Sequence, residues 1–172
     1  DKGVFELIDS ISGVLAKHSE MKVNLTMIGD GPDLDRLKDF AKEKNIENVI
    51  DFKGTITDRF ELSHYFMKSD LFILPTHHEG FPRVLYEAMI FGVPIITTFV
   101  GTIPYLMKDG ENCMRIEPKD VNNQTLVLET VLLDYANKAK IAINATETIK
   151  AYLSDKKFKH AEQLQNLITG NI

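Results

Sequence analysis

The chain has a single cysteine, Cys113, in 172 residues. That excludes an internal disulfide framework and suits a reducing compartment. No apolar run approaches the roughly 18 residues that a membrane-spanning helix needs, and the opening Asp1-Lys2-Gly3 does not read as a signal peptide. A basic excess is missing as well. The net charge of −5 argues against broad nucleic-acid binding, which requires a cationic face. Repeats, low-complexity tracts and internal linkers are also lacking. What is left, 44% hydrophobic and 26% charged residues, is the composition of a soluble globular chain forming one domain over 1–172.

Val4, Leu7, Ile8, Ile11, Val14 and Leu15 recur at helical spacing, so the chain opens on an amphipathic helix. An alternating α/β pattern ordinarily begins with a buried strand, and none precedes Lys2; residue 1 is therefore expected to be a truncation point in a longer protein. Strands are predicted over 23–28, 49–52, 71–74, 95–96 and 113–116. Between them, Leu34, Leu37, Phe40 and Ala41 mark one helix, and Thr57 or Asp58 caps another that carries Phe60, Leu62, Tyr65 and Phe66. From about Val121 only helices are expected, the last with Phe158, Ala161, Leu164 and Ile168 on one face. Strands that are apolar at nearly every position, alternating with helices, indicate an α/β fold with a parallel sheet covered on both sides. Ligands of such sheets collect beyond the carboxyl ends of the strands.

Two turns follow strands and open helices, and either could cradle a phosphate. Gly29-Asp30-Gly31-Pro32 lacks a third glycine, and its helix starts with Asp33 and Asp35, which would repel an anion from the positive end of the helix dipole. It reads as a structural turn. The turn at Gly80-Phe81-Pro82 differs, because its helix carries Arg83 and no acid in the first turn. Pro82 is expected at the first helical position, and the N–H groups of Phe81, Arg83 and Val84 are left for an anion. Two carboxylates bracket this turn. Glu87 lies in a helix of Val84, Leu85, Tyr86, Ala88, Met89, Ile90 and Phe91, expected to be largely buried, so its charge needs partners that the vicinal hydroxyls of a ribose would supply. Pairing with Arg83 at i, i+4 is the plainer alternative, in the less favourable orientation. A glycosidase dyad is disfavoured: eight residues of helix span about 12 Å, against the roughly 5–9.5 Å that such a pair requires.

With Glu79-Gly-Phe-Pro-Arg-Val-Leu-Tyr-Glu87 and the following Gly-Val-Pro-Ile-Ile-Thr, the chain resembles the E-x7-E motif of the large fourth family of retaining glycosyltransferases. Supporting matches run in the right order over about residues 2 to 118: Lys2-Gly3, Ile28-Gly-Asp-Gly-Pro32, Phe52-Lys-Gly54, Asp70 to Pro75, and Val100-Gly-Thr-Ile-Pro104 with Asp109-Gly110. The resemblance implies a Rossmann-like sheet, the C-terminal, donor-binding half of a GT-B enzyme. By the same resemblance Glu79 is the catalytic-site carboxylate that binds donor-sugar hydroxyls, and Glu87 holds the ribose. The backbone after Glu79 (Gly80, Phe81, Arg83, Val84) receives the diphosphate with Lys2, and the turn at Gly54, Thr55 and Ile56 holds the base. It implies metal-independent transfer of a hexose, with retention, from a UDP- or GDP-hexose that is substrate rather than cofactor. The sequence departs from the family in three places: no arginine precedes Lys2, and Thr102 and Tyr105 replace a glycine and an acid.

The acceptor, a saccharide or a lipid-linked one, would be held by an N-terminal domain absent from this chain, so transfer by the chain alone is not expected. Two further readings are a half-subunit completed by a partner chain and a sugar-nucleotide epimerase of the same two-domain fold. His77 and His78 have no third ligand at recognisable spacing and read as loop residues at the mouth of the pocket, not as a metal site. His64 reads as a helix-face residue and Cys113 as a small buried hydrophobe. Lys150, Lys156, Lys157, Lys159 and His160 read as a solvated helix face, with peripheral contact to anionic lipid as the alternative. The expected location is the cytoplasm, or the inner face of its membrane.

Overall fold

Alternation along the strands dictates the architecture. The computed structural model describes residues 2–154. It contains the parallel strands β1 Leu25–Ile28, β2 Ile50–Gly54, β3 Phe72–Leu74, β4 Ile95–Thr98 and β5 Met114–Ile116. Strands β1 and β2 pair in one piece; β4 lies between β3 and β5 in the other. Neighbours along a strand point to opposite faces, so Ile96 enters one hydrophobic cluster and Ile95 another, as do Ile73 and Phe72.

The first cluster joins Ile50, Ile96 and Ile116 to helices α1 (Val4–Lys17), α2 (Leu34–Glu43) and α5 (Val121–Leu133) through Leu7, Ile8, Ile11, Val14, Leu37, Ala41, Leu128 and Val131. The second joins Ile95 to α3 (Arg59–Lys68), α4 (Arg83–Ile90) and α6 (Tyr135–Ser154) through Phe66, Leu85, Ala88, Met89, Ala145 and Ile149. Strands of both pieces contribute to the first cluster, Leu25 and Met27 from one and Ile73 from the other. The parallel sheet with helices on both faces is therefore as the sequence predicts.

Helix ends follow local chemistry. Asp58 Oδ1 accepts the N–H groups of Phe60 and Glu61 at 2.7 and 3.0 Å, capping α3. Helix α4 stops where Gly92 adopts φ 66°. There the Gly92 N–H donates to Met89 O at 3.2 Å and the Val93 N–H to Ala88 O at 3.0 Å, the paired bonds of a glycine-terminated helix.

The structure adds to some expectations and corrects others. Phe60 is 83% exposed, whereas Phe66 of the same helix is buried. Six residues at 3.6 per turn place them on different sides of α3. The first strand starts at Leu25 rather than residue 23. Lys150 is exposed on α6, but Lys156, Lys157, Lys159 and His160, and the helix face of Phe158, Ala161, Leu164 and Ile168, lie outside the described residues. No helix among the described residues is long and apolar enough to cross a membrane.

Candidate functional site

Three stretches distant in sequence meet at the carboxyl ends of β3 and β4. Past Leu74 the chain runs through Pro75 and Thr76, both buried, before turning outward. Two threonines at the end of β4, both fully buried, hold it there. Thr97 Oγ1 donates to Leu74 O at 3.0 Å, and Thr98 Oγ1 donates to Thr76 O at 2.6 Å. Buried hydroxyls thus satisfy carbonyls at the end of β3 and just past it. Reading the sequence misses this role, because a threonine in a strand looks like ordinary β-branched filling. Two threonines closing an otherwise apolar strand were the available signal.

Close backbone approach fixes the loop from two sides. Gly3, with φ 67°, begins α1, and a Cβ there would lie 2.0 Å from Pro75 O. Gly101, with φ 56°, belongs to the turn after β4, and a Cβ there would lie 1.7 Å from Glu79 O. Only glycine fits either position. Held in this way, Glu79 meets Lys2, whose Nζ donates to Glu79 Oε1 in an ion pair. Lys2 is 60% exposed at its side chain and Glu79 only 22%, so the carboxylate is the sheltered partner.

Glu79 leads into α4. Pro82 occupies the cap position, not the first helical one: its φ of −72° suits a helix, but its ψ of 128° is extended, and the helix starts at Arg83. Leu85 N–H reaches back to Pro82 O at 3.1 Å. The N–H groups of Phe81, Arg83 and Val84 donate to no acceptor among the described residues, and no acid stands in the first turn. The Phe81 ring packs on Tyr86 with centroids 4.5 Å apart, and Tyr86 in turn faces Tyr152 at 5.6 Å. This aromatic row anchors the turn from below. Burial raises the Tyr86 phenol above its ordinary range, aided by its hydrogen bond with Tyr152.

Glu87 departs from expectation in two respects. Leu85, Ala88 and Met89 form the buried stripe of α4, and Glu87 lies on its margin, half-buried. Its carboxylate makes no hydrogen bond or ion pair with any described residue, so the i, i+4 pair with Arg83 does not form. Burial pushes its carboxyl above the usual range, and the positive charges of Arg59 and Arg83 pull in the other direction. Arg59, exposed at the first position of α3, went unremarked in the sequence; only the fold brings its charge to bear on Glu87.

The turn after β2 completes this edge. Gly54 adopts φ 66°, and its carbonyl accepts the Gly29 N–H at 2.8 Å. Thr55 is exposed and Ile56 half-buried. No hydrogen bond or ion pair among the described residues joins these three to Glu79 or Glu87; Arg59, five residues beyond Gly54, is the nearby residue whose charge bears on Glu87. At the Gly29 turn, Asp30 Oδ1 accepts the Gly31 N–H at 2.8 Å and Asp33 pairs with Arg36 at 2.6 Å. Acids already line that helix start.

Of the two histidines, His78 is exposed. His77 instead turns inward against α1, its side chain 11% exposed and its Nε2 3.1 Å from Glu6 Oε1. No group of three or more histidine, cysteine, aspartate or glutamate side chains among the described residues is placed to hold a metal. His64 is exposed on α3. Cys113 is buried, with its thiol pushed up to about 12, chiefly by burial, and its Sγ 3.6 Å from Lys108 O. It is an inert packing residue.

Residues 1–148 match the family model described as glycosyl transferases group 1. Over 94 residues the chain is 38% identical to a 2-deoxystreptamine N-acetyl-D-glucosaminyltransferase of Niallia circulans, covering 55% of this chain and 24% of that protein. It is 27% identical over 177 residues to a glycogen synthase of Mycobacterium tuberculosis, covering 95% and 42%. The chain thus spans less than half the length of either relative. Among solved structures, the C-terminal domain of a group 1 glycosyl transferase (LpcC) from Francisella tularensis is similar, with a TM-score of 0.78 and 27% identity. That match covers 90% of this chain and 81% of the other.

Proposed function

The chain belongs to the group 1 glycosyl transferases, and on that premise we propose that it is the donor-binding half of a retaining hexosyltransferase. One observation carries the proposal. Lys2 and Glu79, one at the start of α1 and the other just before α4, form an ion pair beside a helix start whose first N–H groups are free.

In this reading the donor diphosphate sits on the N–H groups of Phe81, Arg83 and Val84, where the helix dipole and exposed Arg83 favour an anion. Gly80 lets the backbone come close. Lys2 is shared: it pairs with Glu79 while the site is empty and transfers to the diphosphate when a donor arrives, freeing the carboxylate for sugar hydroxyls. Glu87, half-buried and without a partner, takes the ribose hydroxyls, and the backbone at Gly54, Thr55 and Ile56 takes the base. The donor is a UDP- or GDP-hexose, bound as substrate without a metal. Charge growing on the departing diphosphate is stabilised by Lys2, Arg83 and the helix start, a preorganised electrostatic role. A saccharide or lipid-linked acceptor enters from an N-terminal domain, so this chain alone binds donor weakly and transfers nothing.

Calorimetric titration with UDP, GDP and ADP tests the proposal. Binding of one nucleotide is expected, weakened by Glu87→Ala. Absence of binding to all three, with Glu87→Ala indistinguishable from the parent chain, would refute it.

A further inference from the structure

The loop that bears Glu79 is fastened to α1 by two charged contacts. One is Lys2 with Glu79. The other is His77 with Glu6, a residue in the first turn of α1, at 3.1 Å. Both partners of this second contact are sheltered, with side chains 11% and 22% exposed. The approach is not aligned for a directed hydrogen bond, and the buried Nε2 has no other partner among the described residues. A neutral imidazole gains little from such a contact, whereas a protonated one gains a full ion pair.

We infer that His77 is a positioning residue for the donor site, acting through Glu6 to hold the Glu79 loop against α1. This rests on the donor reading above. Lys2 must leave Glu79 when a diphosphate binds, and at that moment His77 and Glu6 are the charged contact that still holds the loop. Charged groups near His77 come from the segments that touch its loop. The start of α1 offers Lys2 and Glu6, and its own loop offers His78 and Glu79. The end of β4 and the turn after it, which touch the loop at Thr76 and Glu79, carry no charged residue from Thr97 to Pro104. Among these side chains the two imidazoles are of the type that changes charge near neutral pH, and His77 is the one that faces a carboxylate, at 3.1 Å. Protonation strengthens the fastening, and nucleotide affinity rises as pH falls through the histidine range.

The test measures UDP and GDP affinity of the chain at pH 6 and pH 8, with Glu6→Gln, His77→Gln and, as a control, exposed His64→Gln. Nucleotide protonation contributes equally to every variant and cancels between them. The parent chain is expected to show a pH 6 to pH 8 affinity ratio about twofold to fivefold larger than either Glu6→Gln or His77→Gln, the range of a partly exposed ion pair. The double variant should resemble the singles, and the control the parent. An equal ratio in all variants overturns the inference. Proton NMR titration of the His77 ring, in parent and Glu6→Gln, separates the two readings. A titration that moves to lower pH in Glu6→Gln establishes the contact even where no nucleotide binds, and that combination overturns both the donor reading and the positioning role. A titration that does not move overturns the contact itself while leaving the donor reading intact.

Discussion

Glu87 shows how a functional side chain is distinguished from a stabilising one. Burial raises its carboxyl above the ordinary value of 4.5. Between that value and the raised one the folded chain binds more protons than the unfolded chain, so stability falls as pH rises through the window. Above it, the charged group is a net cost to folding. Glu87→Gln is therefore expected to melt at or above the parent temperature at pH 7 while weakening nucleotide binding roughly tenfold to a hundredfold, the worth of hydrogen bonds to a charged group. Thermal melts at pH 4 and 7 beside calorimetry check both parts; a lower melting temperature at pH 7 would make Glu87 structural. Gly101 is the opposite case. Alanine there meets Glu79 O and a φ of 56°, whereas Gly110, at φ 71°, faces open space. Gly110→Ala should cost about 1 kcal/mol from the left-handed backbone alone. Gly101→Ala should cost more and also displace Glu79, which equal melting temperatures for the two variants would contradict.

At the level of elements, local rules proved readable where they act over a few residues. A cap at Thr57 or Asp58, which the structure gives to Asp58, and a strand at Ile95 and Ile96 follow from the sequence, because each depends on near neighbours. Side chains whose setting depends on packing were less legible. Phe60 and Phe66 were placed on one helix, and only packing decides that Phe66 is buried and Phe60 exposed. His77 was expected at an open mouth and lies against α1. Arg59 and Thr98 gained their significance only when the fold brought distant segments together. The cap connects the two levels, since Asp58 sets where α3 begins and hence where Arg59 projects. Asp58→Ala is expected to cost about 0.5–2 kcal/mol and to loosen the amide protons of Phe60 and Glu61. Hydrogen exchange would show this as faster exchange confined to the first turn of α3, and unchanged exchange there would rule out the cap.

Over the whole molecule, the candidate donor groups are scattered along the chain, with Lys2 before α1, Gly54 after β2, and Glu79 and Glu87 around α4. They share one edge because parallel strands bring every β-to-α turn to the same side. A ligand held by all of them would cross-link the α1 start, the β2 turn and α4, segments that belong to both hydrophobic clusters. Its binding free energy would then appear as resistance to global unfolding rather than as local ordering. A nucleoside diphosphate at 100 times its dissociation constant should stabilise the chain by about 2.7 kcal/mol. The same shift is expected in EDTA, because the charge neutralisation is assigned to Lys2, Arg83 and the helix start. It should shrink as salt rises, since Lys2 and Arg83 are exposed and screened. Melting curves across nucleotide, EDTA and salt decide the matter. A shift abolished by EDTA would place a metal where those cations are proposed to act, and one indifferent to salt would remove the exposed cations from the account.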